Sequence, residues 1–171
     1  MNKILTRWNS LDPSAAAREV LPCCGSQAWA VALTSCRPVT DEASLIETSS
    51  FVWLGLPRDA WQEAFDSHPR IGQSHAQAQA TEESLRWSAQ EQRAALSDDD
   101  ATRLALEEAN RRYEQRFGRI FIVCATGKTS AEMLAILEAR MKNDPITELH
   151  EAAEQQRQIT QLRLHRWLES E

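Results

Sequence analysis

Apolar positions recur along most of the chain at the three- and four-residue intervals of a helix face, and Pro, Gly and short polar clusters punctuate them. Asp12 followed by Pro13 is an N-cap with proline at the first helical position, and it opens a segment from Ala15 to Leu21. Ser26 caps a second segment from Trp29 to Leu33, which stops before Pro38. Thr40 or Asp41 starts a third, to about Leu54, on Ala43, Leu45 and Ile46, and Pro57 opens a fourth through Trp61, Ala64 and Phe65. The fourth must end near His68, because Pro69 disfavours helical backbone in the residue before it. Residues 69–80 read as a loop. Thr81 then starts a helix to about Leu96, and the run from Ser97 to Asp100 ends it and caps the next, which reaches Phe117 before Gly118. Ile120 to Cys124 is the one segment of strand-like composition. A lone strand has nothing to pair with, so the segment is expected to be a buried extended or helical connector. Thr129 caps a helix through Met133, Leu134, Leu137 and Met141, and Asp144-Pro145 opens a last long one to about Trp167. The sum is an all-α fold, a single compact domain of eight or nine helices over residues 1–171.

Composition agrees and narrows the function classes. With 171 residues the chain can bury roughly 70 % of its unfolded surface without disulfide or metal. Five Gly and six Pro are too few for many short strands. No apolar run approaches the roughly 18 residues that cross a bilayer, so no membrane role is expected. The net charge is −6 with scattered basic residues, which gives no electrostatic footprint for nucleic acid. The N-terminal stretch lacks the apolar core and cleavage site of a signal peptide, and a cytoplasmic protein is expected. Cys23, Cys24, Cys36 and Cys124 form no Cys-x-x-Cys pair and read as small hydrophobes in a reducing compartment.

In a helical domain, polar groups on faces that ought to be buried are the informative ones, because each costs a few kcal/mol unless paired. On the last helix Leu149, Ala152, Ala153, Thr160, Leu164 and Trp167 form one stripe, and Arg163 falls within roughly 40° of its centre. It faces a partner carboxylate, snorkels its head outward, or holds an anionic or carbonyl-bearing ligand. Asn110 joins the apolar face of Leu106, Ala109, Tyr113 and Phe117. Between Thr81 and Leu96, Ser88, Glu91 and Gln92 share a face, which is either solvated or lines a polar cavity. His68 ends a helix, where the dipole favours imidazolium and suits a proton donor; a histidine bordering a loop is expected to contribute little packing.

Two chemistries fall away. Gly127-Lys128-Thr129 has the tail of a phosphate loop, but the first glycine of that motif would stand where Ile122 does. No His-Glu-x-x-His spacing occurs, so no metal is expected. A Cys124 nucleophile would lie in an apolar run that raises its pKa.

The oddly placed residues fall into a pattern. His68-Pro69-Arg70-Ile71-Gly72, Ser88-x-x-Glu91-Gln92, and Asn110-x-x-Tyr113-x-x-Arg116-Phe117-Gly118-x-x-Phe121-Ile122-Val123-Cys124-Ala125-x-Gly127-Lys128 closely resemble the 2-oxo-4-hydroxy-4-carboxy-5-ureidoimidazoline (OHCU) decarboxylases. Cys23-Cys24-Gly25-Ser26-x-x-Trp29, Arg37-Pro38, Arg140-x-x-Asn143, Glu148-Leu149 and Arg163-Leu164 are similar to the outer blocks of the same family, so the resemblance covers nearly the whole chain. Val39 departs from it, since the family tends to have Phe there, and the 73–81 loop is short.

The resemblance implies a cofactor-free enzyme of purine breakdown, commonly a homodimer, that converts the small molecule OHCU to (S)-allantoin with loss of CO2. Matched by motif position, His68 is implied as the catalytic acid/base and Glu91 as its acidic counterpart. Pro69, Ser88, Gln92, Phe121, Ile122, Val123, Cys124, Ala125 and Arg163 are implied as substrate contacts. The competing expectation is a non-catalytic helical interaction module that has kept the fold. Intact His68, Glu91 and Arg163 speak against it, since a binding module needs none of the three.

Overall fold

A computed structural model describes residues 2–71, 80–93 and 99–170, and among these the chain forms nine α-helices and no strand. They are α1 (Lys3–Ser10), α2 (Pro13–Cys24), α3 (Gln27–Ser35), α4 (Glu42–Leu54), α5 (Arg58–Asp66), α6 (Glu82–Gln92), α7 (Asp100–Phe117), α8 (Ser130–Arg140) and α9 (Pro145–Glu169). The expected all-α class is observed. The helices group into two compact units, Met1–Ala64 with Arg157–Glu171, and Phe65–Gln156.

In the first unit, local capping sets the helix starts. Asp12, Ser26 and Asp41 accept the backbone N–H groups of Ala15, Trp29 and Ser44 at 3.0, 3.2 and 2.8 Å. Helix α1 has no counterpart in the sequence expectations, because its apolar stripe is too short to stand out. Asn2 caps it, accepting from Ile4 N–H at 2.8 Å and donating to the Leu168 carbonyl at 2.9 Å. At its far end the Arg37 guanidinium donates to the carbonyls of Trp8 and Leu11, of which the first also accepts the Leu11 N–H at 3.3 Å. Helix α2 runs past the expected stop at Leu21, through Pro22 to Cys24. Gly25 closes it in the left-handed region at φ 87°, with its N–H on the Leu21 carbonyl at 2.8 Å. Trp8, Trp29 and Trp53 are fully buried, and Trp8 meets Trp167 edge to face at 5.8 Å. Burial pushes the Cys24 thiol up to about 12, with Thr160, Ser26 and Arg163 pulling the other way.

In the second unit, Thr81 and Asp99 cap α6 and α7, and Thr129 with Glu132 forms a capping box on α8. Helix α6 ends at Gln92; the rest of its expected span, residues 94–96, lies outside the described residues. The core is Leu106, Ala109, Tyr113, Phe117, Phe121, Val123, Ala125, Met133 and Leu137. Residues 120–125 form the expected buried connector, non-helical of the two forms left open, and three of its backbone polar groups are paired with side chains instead of a neighbouring strand. Arg140 Nη1 donates to the Ile122 carbonyl at 2.7 Å, Lys128 Nζ to the Cys124 carbonyl at 2.7 Å, and the Cys124 N–H donates to Gln155 Oε1 at 2.9 Å.

Beneath that connector lies a buried charge cluster. Glu148, 0 % exposed, accepts from Arg140 Nε and Nη2 at 2.8 and 2.5 Å, from the Tyr113 hydroxyl at 2.5 Å and from Asn143 Nδ2 at 3.0 Å. The Arg140 guanidinium also stands over the Phe121 ring at 4.5 Å. Burial and the Glu148 contact raise the Tyr113 pKa, so the phenol stays the donor.

Two predictions follow from this packing. Arg140→Met strands the Glu148 charge and should cost about 3–5 kcal/mol in urea unfolding, whereas Arg140→Met with Glu148→Leu should cost less than the sum of the two single changes. The second concerns alkaline pH. The unfolded chain releases the Cys24 proton near pH 9 while the folded protein keeps it to about 12, so stability falls as pH rises through that window. Cys24→Ala should flatten the slope by up to about 1.4 kcal/mol per pH unit, measured by unfolding at a series of pH values.

Candidate active site

His68 lies just beyond the end of α5, where its backbone N–H donates to the Phe65 carbonyl at 3.1 Å and Pro69 stops the helix from continuing. Its side chain is only 7 % exposed, so the expectation that it contributes little packing is corrected: the residue is part of the interior. Its Nε2 lies 2.6 Å from Gln156 Oε1 on α9, and Gln156 is fully buried. An amide oxygen can only accept, so Nε2 is the donor.

Helix α6 turns Ser84, Trp87, Ser88 and Glu91 inward. Glu91 is 8 % exposed and Gln92 half-buried. The solvated-face alternative for this helix therefore fails at Ser88 and Glu91. A carboxylate and a hydroxyl one turn apart on an inward face form an arrangement suited to binding or proton transfer. Phe121, Ile122, Val123, Cys124 and Ala125 are all buried in the connector. Thus His68, Pro69, Ser88, Glu91, Gln92 and residues 121–125 all belong to the second unit.

Arg163 belongs to the first unit, on the later part of α9. It is fully buried at 0 % exposure, which removes the snorkelling alternative. Its Nη1 donates to the Pro22 carbonyl at 3.3 Å, a group near the end of α2. Asn110 uses its Nδ2 on the Leu106 carbonyl at 3.0 Å, one turn back on its own helix. Among the described residues no three His, Cys, Asp or Glu side chains are grouped as metal ligands would be.

Sequence reasoning missed Gln155 and Gln156. The signal for Gln156 was present, because it falls on the same stripe of α9 as Leu149, Ala152, Ala153, Thr160 and Arg163, where a glutamine is as conspicuous as the arginine. Gln155 carried no such signal, being half-buried beside it.

Residues 9–165 match the family model described as OHCU decarboxylase. Among curated relatives, the chain is 39 % identical over 144 residues to the uric acid degradation bifunctional protein TTL of Arabidopsis thaliana, covering 83 % of this chain and 44 % of that protein, so it spans less than half of that relative's length. It is 32 % identical over 137 residues to the 2-oxo-4-hydroxy-4-carboxy-5-ureidoimidazoline decarboxylase of Mus musculus, covering 79 % of this chain and 75 % of that one. A crystal structure of an OHCU decarboxylase in the presence of (S)-allantoin superposes with TM-score 0.77 at 34 % identity, over 89 % of this chain and 98 % of that one. A crystal structure of an (S)-allantoin synthase shares the fold, with TM-score 0.71 at 19 % identity over 95 % of this chain and 53 % of that one. With a family model spanning almost the whole chain and relatives above 30 % identity, the protein belongs to the OHCU decarboxylase family.

Proposed function

We propose that this chain is a lyase that removes CO2 from OHCU and delivers (S)-allantoin, in the breakdown of urate. The observation that carries the reading is the burial of His68 and Glu91, an acid/base pair by family resemblance, at positions that patterning alone leaves open to solvent. An imidazole and a carboxylate shielded from bulk water can exchange protons with a bound substrate instead of with solvent.

The chemistry needs no external electron sink. Breaking the bond between the ring carbon and its carboxylate frees an electron pair, which forms a double bond to the neighbouring ring carbon. The C=N π pair of that neighbour moves onto nitrogen, which takes a proton. The enol-like intermediate then loses its hydroxyl proton and gains a proton on carbon, so one proton is consumed overall for each carboxylate lost. His68 delivers the proton to carbon from one face, and Glu91 acts through its charge, on the scissile carboxylate or as base for the hydroxyl. Ser88, Gln92, Pro69 and residues 121–125 hold the ring and the ureido group, and Arg163 is a further contact by family resemblance alone. Family resemblance further supports a homodimer with no cofactor, which sedimentation and activity in the presence of EDTA test; the cytoplasm is its proposed compartment, which cell fractionation tests.

Urate, urate oxidase and hydroxyisourate hydrolase mixed with the protein should give (S)-allantoin, followed by circular dichroism, where the uncatalysed reaction gives the racemate. A racemic product at the uncatalysed rate overturns the assignment. His68→Asn should lower turnover about 10²- to 10⁴-fold. Glu91→Gln should lower kcat while KM stays level or falls, since repulsion of a bound anion is relieved. A large loss of melting temperature with normal turnover per folded molecule would instead make Glu91 a structural residue.

A further inference from the structure

We propose that Gln155 and Gln156, adjacent on α9, are positioning residues that hold two parts of the second-unit site in register: Gln156 the His68 ring, and Gln155 the Cys124 amide. The inference rests on the reading of His68 as the acid/base group and of residues 121–125 as substrate contacts. Successive helical residues project about 100° apart, so a single turn of α9 reaches two elements that the chain supplies from positions 68 and 124.

Gln156 Oε1 stands 2.6 Å from His68 Nε2 and can only accept, so Nε2 is protonated in both the neutral and the charged ring. The proton that His68 exchanges is then the one on Nδ1. An acceptor at this position fixes the ring's direction and with it the nitrogen that gives and takes the proton. A methionine would fill the same place on the apolar stripe with no polar group to desolvate, so packing alone gives no reason for a buried glutamine.

Gln155 acts on the connector. Its Oε1 accepts the Cys124 N–H at 2.9 Å while its Nε2 donates to Glu151 Oε1 at 3.1 Å, and the second bond sets which way the amide faces. Lys128 holds the Cys124 carbonyl at 2.7 Å. The Cys124 residue is thereby tethered at its N–H and its carbonyl, where a neighbouring strand would otherwise fix it. Preorganised backbone of this kind affects substrate placement, whereas the orientation of the imidazole affects the proton-transfer step.

The two roles separate kinetically. Gln156→Met should lower kcat by about tenfold or more with KM within about twofold, and Gln156→Glu, which restores an acceptor, should recover most of the loss. Gln155→Met should raise KM about fivefold or more with kcat within about twofold. Purified full-length variants are compared by (S)-allantoin formation alongside thermal unfolding. A merely structural role would shift melting temperatures and the active fraction without splitting kcat from KM. Unchanged constants in the folded methionine variants, or Gln156→Glu as slow as Gln156→Met, overturn the inference. If Gln156→Met does not fold, Gln156→Asn keeps a buried amide but shortens its reach, and full kcat in that variant overturns it equally. His68→Asn distinguishes the levels: an active His68→Asn removes the underlying reading, whereas an inactive one beside an unaffected Gln156 variant removes only this inference.

Discussion

A carboxylate with no access to water needs its donors inside the protein, and the second unit is organised around that requirement at Glu148. Arg140, Tyr113 and Asn143 converge on it from α8, α7 and the turn before α9. The desolvation of both charges offsets much of their attraction, so the pair is weak as a source of net stability. What it fixes is geometry. Arg140 has one further nitrogen on the Ile122 carbonyl and its plane over Phe121, so satisfying Glu148 also anchors the connector from which the substrate contacts are proposed to come.

What was legible in the sequence is what acts locally. The starts of α2, α3, α4, α7, α8 and α9 could be read because Asp12, Ser26, Asp41, Asp99, Thr129 and Asp144-Pro145 act within one turn of themselves. Helix α1 could not, because it depends on Asn2 reaching Leu168 and on Arg37 reaching back to Trp8 and Leu11, contacts far apart in sequence. The end of α2 was misplaced for a related reason: Pro22 signals a stop, yet Gly25 two residues beyond Cys23 supplies the left-handed closure that lets the helix continue.

The candidate site divides along the same line. Arg163 stood out because a charge on an apolar stripe has no local explanation, and it is fully buried. On α6 periodicity alone left Ser88 and Glu91 ambiguous, since the helix has no continuous apolar face to say which side is inside. Family motifs pointed inward, and burial agrees. Gln155 reads as ordinary helix surface until its partner 31 residues away is known, whereas Gln156 stands on the apolar stripe with its partner 88 residues away.

The distribution of tryptophan has an optical consequence. Of the six, Trp8, Trp29, Trp53, Trp61 and Trp167 belong to the first unit, and Trp87 alone to the second. Trp87 sits on the inward face of α6 with Ser84, Ser88 and Glu91. Its indole shares an environment with the carboxylate proposed to act on substrate, while the other five report on the first unit. Replacing those five with phenylalanine in groups would leave a chain whose fluorescence comes from beside the candidate site, so that ligand occupancy becomes visible as a change in emission colour and lifetime without any attached dye.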